Sequence, residues 1–169
     1  MLTGGHPNSL GRTVEVVDLI LADRKQLPRL FDCYDSADPV VRMRTSNALK
    51  RICRSQPEWL LPFIDRLILQ VSALDQASAQ WTLATLFYLL EPGMDAAQKK
   101  AAGRILKKNL EQHDDWIVLN TTMDTLAAWS DDDTRLKNWL LPRLKKLEAD
   151  NRGSVARKAA KILARFSAQ

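Results

Sequence analysis

Apolar residues recur along this chain with the period of an α-helix, in runs interrupted by Asp, Pro and Gly. No stretch alternates with period two over a useful length, and β-branched residues are not clustered, so no strands are expected. Helical periodicity begins at Thr13, where Val14, Val17, Leu19, Ile20 and Leu21 make the apolar side of a short helix. Asp23 is placed to cap the next helix, which runs through Tyr34 and buries Leu27, Leu30 and Phe31. Pro28 falls in its first turn or two, where proline does least harm. After a turn over 35–39, Asp38 supplies an N-cap and Pro39 an N1 residue that needs no amide donor, and a helix follows to about Ser55. Further helices open at Pro57, Asp75, Asp95, Asp114 and the run Asp131-Asp132-Asp133, and Gly153 starts the last.

The pattern repeats. With Val41 as anchor, the chain is apolar at 0, small or apolar at +4 and +5, and apolar at +7, +8 and +11. The first copy reads Val41, Thr45, Ser46, Ala48, Leu49, Ile52, and the second Ala79, Leu83, Ala84, Leu86, Phe87, Leu90. The third reads Val118, Thr122, Met123, Thr125, Leu126, Trp129, and the fourth Val155, Ala159, Ala160, Ile162, Leu163, Phe166. The anchors stand 38, 39 and 37 residues apart. The helices between them repeat too: Glu58-Trp59-Leu60-Leu61-Pro62 and Asn138-Trp139-Leu140-Leu141-Pro142 lie 80 residues apart. Proline at this point in three copies, with Gly103 in the remaining one, predicts a bend in each first helix. At about 100° per residue the repeated positions fall on one broad face, which a single hairpin cannot bury alone, so copies must stack.

The stretch 38–52, DPVVRMRTSNALKRI, resembles the HEAT-repeat consensus, and 153–166 is the next best match. The resemblance covers about 23–169 and implies an all-α fold, a short α-solenoid of about four HEAT-like hairpins with an additional N-terminal helix. Residues 1–12, with three Gly and one Pro, are expected to be loosely held, and 13–169 to form one repeat domain. The family's Arg after the anchor Val is Arg42 in the first copy but Gln80, Leu119 and Ala156 in the others, so a regular Asp/Arg ladder between copies is not expected.

HEAT second helices line a concave side, so positions +2, +6 and +9 are expected to face that groove. There the resemblance places Asn47, Lys50, Trp81, Tyr88, Asp124, Arg157 and Lys161 as candidate binding residues, flanked by Arg44, Arg51, Lys158 and Arg165. Exposed aromatics such as Trp81 and Tyr88 suit a binding surface. Apart from a binding role, Asp124 is expected to be a solvated carboxylate or to pair with Lys161 or Arg157 of the next copy. As most HEAT arrays do, the chain is expected to bind a protein partner without catalysis. The alternative is nucleic-acid binding, similar to the HEAT-like DNA-alkylation-repair glycosylases, whose residue types Trp81, Tyr88, Asp124, Arg157 and Lys161 reproduce.

Composition narrows this little. The 169 residues carry 25 Lys and Arg against 20 Asp and Glu, a net charge of +5, which permits an anionic partner without requiring one. A second basic cluster, Lys99, Lys100, Arg104, Lys107 and Lys108, belongs to a first helix and so to the opposite side. Cys33 and Cys53 have no metal or redox spacing, and His6 and His113 lack a partner one turn away, so no metal or cofactor is expected. No phosphate-binding loop or nucleophile motif occurs. Without a signal-peptide core or a membrane-length apolar run, a cytoplasmic location is expected.

Overall fold

Most of the turn signals start a helix within a residue or two of the expected place. In the structure, a computed structural model that describes residues 1–4, 6 and 9–168, every regular element is helical. The α-helices are α1 (Thr13–Ala22), α2 (Leu27–Asp32), α3 (Pro39–Ser55), α4 (Ile64–Leu69), α5 (Ala77–Leu90), α6 (Ala96–Gln112), α7 (Trp116–Trp129), α8 (Thr134–Glu148) and α9 (Gly153–Ser167). Asp38 caps α3 by accepting from the Val40 amide at 2.8 Å. Asp95 and Gln98 close a reciprocal capping box on α6. The caps of α7 and α8 are Asp115 and Asp133, whose carboxylates take amide protons of the first turn. For α5 the N-cap is Gln76 and not Asp75, and for α7 it is Asp115 and not Asp114, while α9 starts at Gly153 as expected.

The first helices of the early copies are more broken than the periodicity suggests. Residues 24–35 form α2 flanked by 3₁₀ turns, and two such turns at Pro57–Trp59 and Leu61–Phe63 precede α4. Pro57 and Pro62 withhold two amides there, and the tighter turns absorb the loss. By contrast α8 continues through Pro142, and α6 continues through Gly103. Proline at 142 cannot bond the carbonyl one turn back, and the neighbouring Arg143 guanidinium donates to the Trp139 carbonyl at 2.8 Å.

The repeated positions are the core. Every one of them is buried except Ala160 and Leu163 on α9, which are half-buried. Helix α1 packs on α3, α3 on α5, α5 on α7 and α7 on α9, while α4 packs on α6, α6 on α7 and α8 on α9. Among the described residues α9 packs on α7 and α8, and its +5 and +8 positions are half-buried. Burial of each enclosed Leu or Phe, such as Leu49, Leu83 or Phe87, contributes about 1.5–3 kcal/mol relative to exposure.

Successive copies are also tied by polar links about 34 residues apart. Arg66 meets Asp32 at 3.1 Å, Gln98 donates to Asp65 at 3.0 Å, and Lys158 meets Asp124 at 2.7 Å. A separation four residues short of the repeat length means that adjacent copies meet one helical turn out of step. The position of Arg42 has a counterpart in the second copy. Arg42 donates to the Ser36 carbonyl in the turn before its helix and to Gln76 of the next copy. Gln80, at the same position in the second copy, donates to the Leu74 carbonyl, the counterpart of Ser36, at 2.7 Å. It also accepts from Asn109 at 3.0 Å, so this buried amide pair is satisfied.

The described part of residues 1–12 makes contact with α3. Leu2 is buried, and the segment is held to α3 by Arg44, which is wholly buried and not on a groove rim as expected. Its guanidinium donates to the carbonyls of Leu2 (2.7 Å), Gly4 (2.6 Å), His6 (3.2 Å) and Ser9 (3.1 Å), and to Ser9 Oγ. Position +3 faces the preceding unit of the stack, and for the first copy that unit is α1 with the segment before it.

Among the described residues no helix is long and apolar enough to cross a membrane.

Candidate functional site

The second helices α3, α5, α7 and α9 pack in series, and their charges are unevenly distributed. Helix α5 carries no charged residue, and α7 carries only Asp124. The flanking helices are basic: α3 ends in Lys50, Arg51 and Arg54, and α9 bears Arg157, Lys158, Lys161 and Arg165. A centre whose one charge is the carboxylate Asp124 thus lies between two basic flanks.

A groove of about 450 Å³ draws residues from all four helices: Arg54 from α3, Thr85 and Tyr88 from α5, Thr121, Asp124, Thr125 and Ala128 from α7, and Arg165 from α9. Tyr88 is 52% exposed beside Phe87, which is wholly buried. The threonine protons are used within the scaffold. Thr85 donates to the Trp81 carbonyl, Thr121 to the Ile117 carbonyl, and Thr125 to the Ala84 carbonyl of the neighbouring helix. What remains for a ligand is the Tyr88 hydroxyl, the Arg54 guanidinium and the apolar parts of the wall, because the Arg165 guanidinium is engaged by Ala127 and Asp131.

The two flanks differ in how their charges are balanced. Both carboxylate oxygens of Asp124 accept from Lys158 Nζ, at 2.8 and 2.7 Å. Arg165 donates to the Ala127 carbonyl at 2.8 Å and pairs with Asp131 at 3.2 Å. On α3, among the described residues, no carboxylate pairs with Lys50, Arg51 or Arg54; Arg51 donates to the amide oxygen of Asn47 at 2.8 Å. Lys50 is half-buried, and burial together with the nearby Arg54 and Arg51 lowers its pKa from the usual lysine range.

Of the expected binding residues, the structure brings Tyr88 and Asp124 into this groove and leaves Asn47, Lys50, Trp81, Arg157 and Lys161 outside its lining. Trp81 is half-buried, whereas Arg157 and Lys161 are exposed. The partner of Asp124 is Lys158, not Lys161 or Arg157, because position +3 of one copy faces +6 of the copy before it. Arg54 is absent from the sequence-based set. It stands thirteen residues after Val41, at about 220° on the helical wheel, between +2 at about 200° and +6 at about 240°. The register identifies it once it is carried past the last core position.

The basic cluster on α6 is partly engaged. Lys99 pairs with Glu91, and Lys107 stands 4.8 Å from the Trp139 ring, on which the Arg143 guanidinium also lies at 3.8 Å. Among the described residues no group of His, Cys, Asp and Glu is arranged to hold a metal ion. His113 Nδ1 accepts from the Asp115 amide at 3.0 Å, which ties it to the start of α7. Comparison with protein-family models, with curated proteins and with solved structures finds no match to this chain.

Proposed function

We propose that this chain is a non-enzymatic interaction module, a short HEAT-like α-solenoid that binds a protein partner on the face formed by its second helices. The observation that carries the reading is the groove to which α3, α5, α7 and α9 each contribute, with an exposed Tyr88 at its wall. A surface assembled from successive copies is what a stack of hairpins offers a partner, and exposed tyrosine between arginines is common at binding hot spots. The function is inferred from the site and from the HEAT resemblance of 38–52 together, and the fold alone would not supply it. A cytoplasmic setting belongs to the same proposal.

The test is site-specific photocrosslinking in the native cell. A benzophenone amino acid replacing Tyr88 is expected to capture a discrete protein, while the same group at Lys145, on α8, captures none. Equal capture at both positions, or capture at Lys145 alone, would overturn the assignment of this face.

A further inference from the structure

We infer that the groove receives an extended segment of a partner protein in which an apolar or aromatic residue is flanked on both sides by acidic residues. The inference rests on the interaction reading above and specifies the chemistry of its partner.

Three observations carry it. Between its arginines the groove is walled by Tyr88, Ala128, three threonines whose hydroxyl protons are already donated to backbone carbonyls, and Asp124, whose carboxylate is paired with Lys158, so its centre offers nothing to a second anion. Each rim carries an arginine, Arg54 from α3 and, from α9, Arg165, which is paired with Asp131 at the groove's edge and would have to share its guanidinium with a bound carboxylate. The α3 rim, where Arg54 stands with Lys50 and Arg51, lacks acidic partners among the described residues. Gathering three like charges on one helix end is unfavourable until an anion arrives; the pKa of Lys50 is lowered first by burial and then by the nearby Arg54 and Arg51. Carboxylates on a bound segment would relieve it, and guanidinium groups are suited to bind them through paired hydrogen bonds.

The charge pattern favours a peptide over a nucleic acid. A polyphosphate strand presents negative charge at every step, but the middle of this surface is uncharged on α5 and carries the carboxylate Asp124 on α7. A segment with charges at its flanks and none at its centre matches that order, and a continuous polyanion does not.

The experiment uses fluorescein-labelled synthetic peptides and anisotropy with the full chain. The first peptide has Glu residues on both sides of a central Trp, the second replaces each Glu with Gln, and the third replaces Trp with Ser. A labelled single-stranded oligonucleotide is the fourth probe. The first peptide is expected to bind, with the second and third weaker by about tenfold or more, the sum of several modest contacts. Arg54→Glu and Tyr88→Ala are each expected to weaken the first peptide by about fivefold or more, with circular dichroism unchanged. Equal binding of the Glu and Gln peptides would overturn the inference. So would tighter binding of the oligonucleotide that Arg54→Glu abolishes, which would assign the groove to nucleic acid. If no peptide binds while crosslinking at position 88 still captures a protein, the inference fails and the interaction reading stands.

Discussion

The guanidinium of Arg44 lies 2.7 Å from the carbonyl oxygen of Leu2, across 42 residues of chain. That bond belongs to a set in which all the donor nitrogens of one buried arginine are taken by backbone carbonyls and a serine hydroxyl of the N-terminal segment. Among the described residues no carboxylate pairs with this buried charge, and the ring of carbonyl dipoles compensates it. Arg44→Met should therefore cost about 2–4 kcal/mol, since it leaves several carbonyls without donors. Arg44→Lys should recover part of this, because an ammonium reaches fewer acceptors. Urea denaturation of the three proteins gives the order; equal midpoints would show that the segment contributes nothing.

Gly11 sets the close approach of this segment to α3. Its φ is +52°, and a Cβ placed there would lie 2.8 Å from Arg44 Cζ. Alanine would meet both the left-handed backbone penalty, about 1–2 kcal/mol, and a contact that only movement of Arg44 can relieve. Gly11→Ala is thus expected to be more destabilising in the natural chain than in an Arg44→Ala background, where the clash is gone. A double-mutant cycle measures the difference, and strict additivity would refute the contact.

How far the sequence revealed this molecule depended on what each residue faces. The core positions of α3, α5 and α7 were legible because helical period and burial coincide there, from Val41 to Trp129. Arg44 was not, because +3 faces the unit before its own copy, and the unit before the first copy is a non-repeated segment. The groove was half legible. Tyr88 and Asp124 follow from the register, but the choice of Lys158 over Lys161 depends on the one-turn offset between copies, which no single helix encodes. Arg54 was hidden by its place beyond the last core residue of its copy.

Adjacent residues on α5 give a direct test of that register. Phe87 is wholly enclosed and Tyr88 is half exposed, although both are aromatic and one position apart. Phe87→Ala should cost about 3–5 kcal/mol through lost burial and a cavity. Tyr88→Ala should change stability by about 0.5 kcal/mol or less, so any loss of partner binding on that change is a surface effect. Thermal denaturation separates the two; comparable losses would mean that the face is turned differently.

Cys53 gives the chain a specific alkaline weakness. It is fully enclosed on α3, and burial pushes its thiol up to about 12, with nearby Arg54 opposing the shift. In the unfolded chain a thiol ionises near its ordinary value of about 8.5. Between those values the unfolded state has released a proton that the folded state retains, so stability is fully present below about pH 8.5 and falls as pH rises towards 12. By pH 10.5, two units above the unfolded value, the loss should be about 2.7 kcal/mol. Burial raises the Tyr34 hydroxyl too, and this adds to the decline at still higher pH, while the lowered pKa of Lys50 acts in the opposite sense. Cys53→Ala separates the thiol from both. Its cavity imposes a cost that does not vary with pH, so the variant starts less stable at pH 7 but loses less on going to pH 10.5. Denaturation curves for both proteins across that range should converge as pH rises; parallel curves would show that the Cys53 thiol ionises as readily in the folded chain as in the unfolded one.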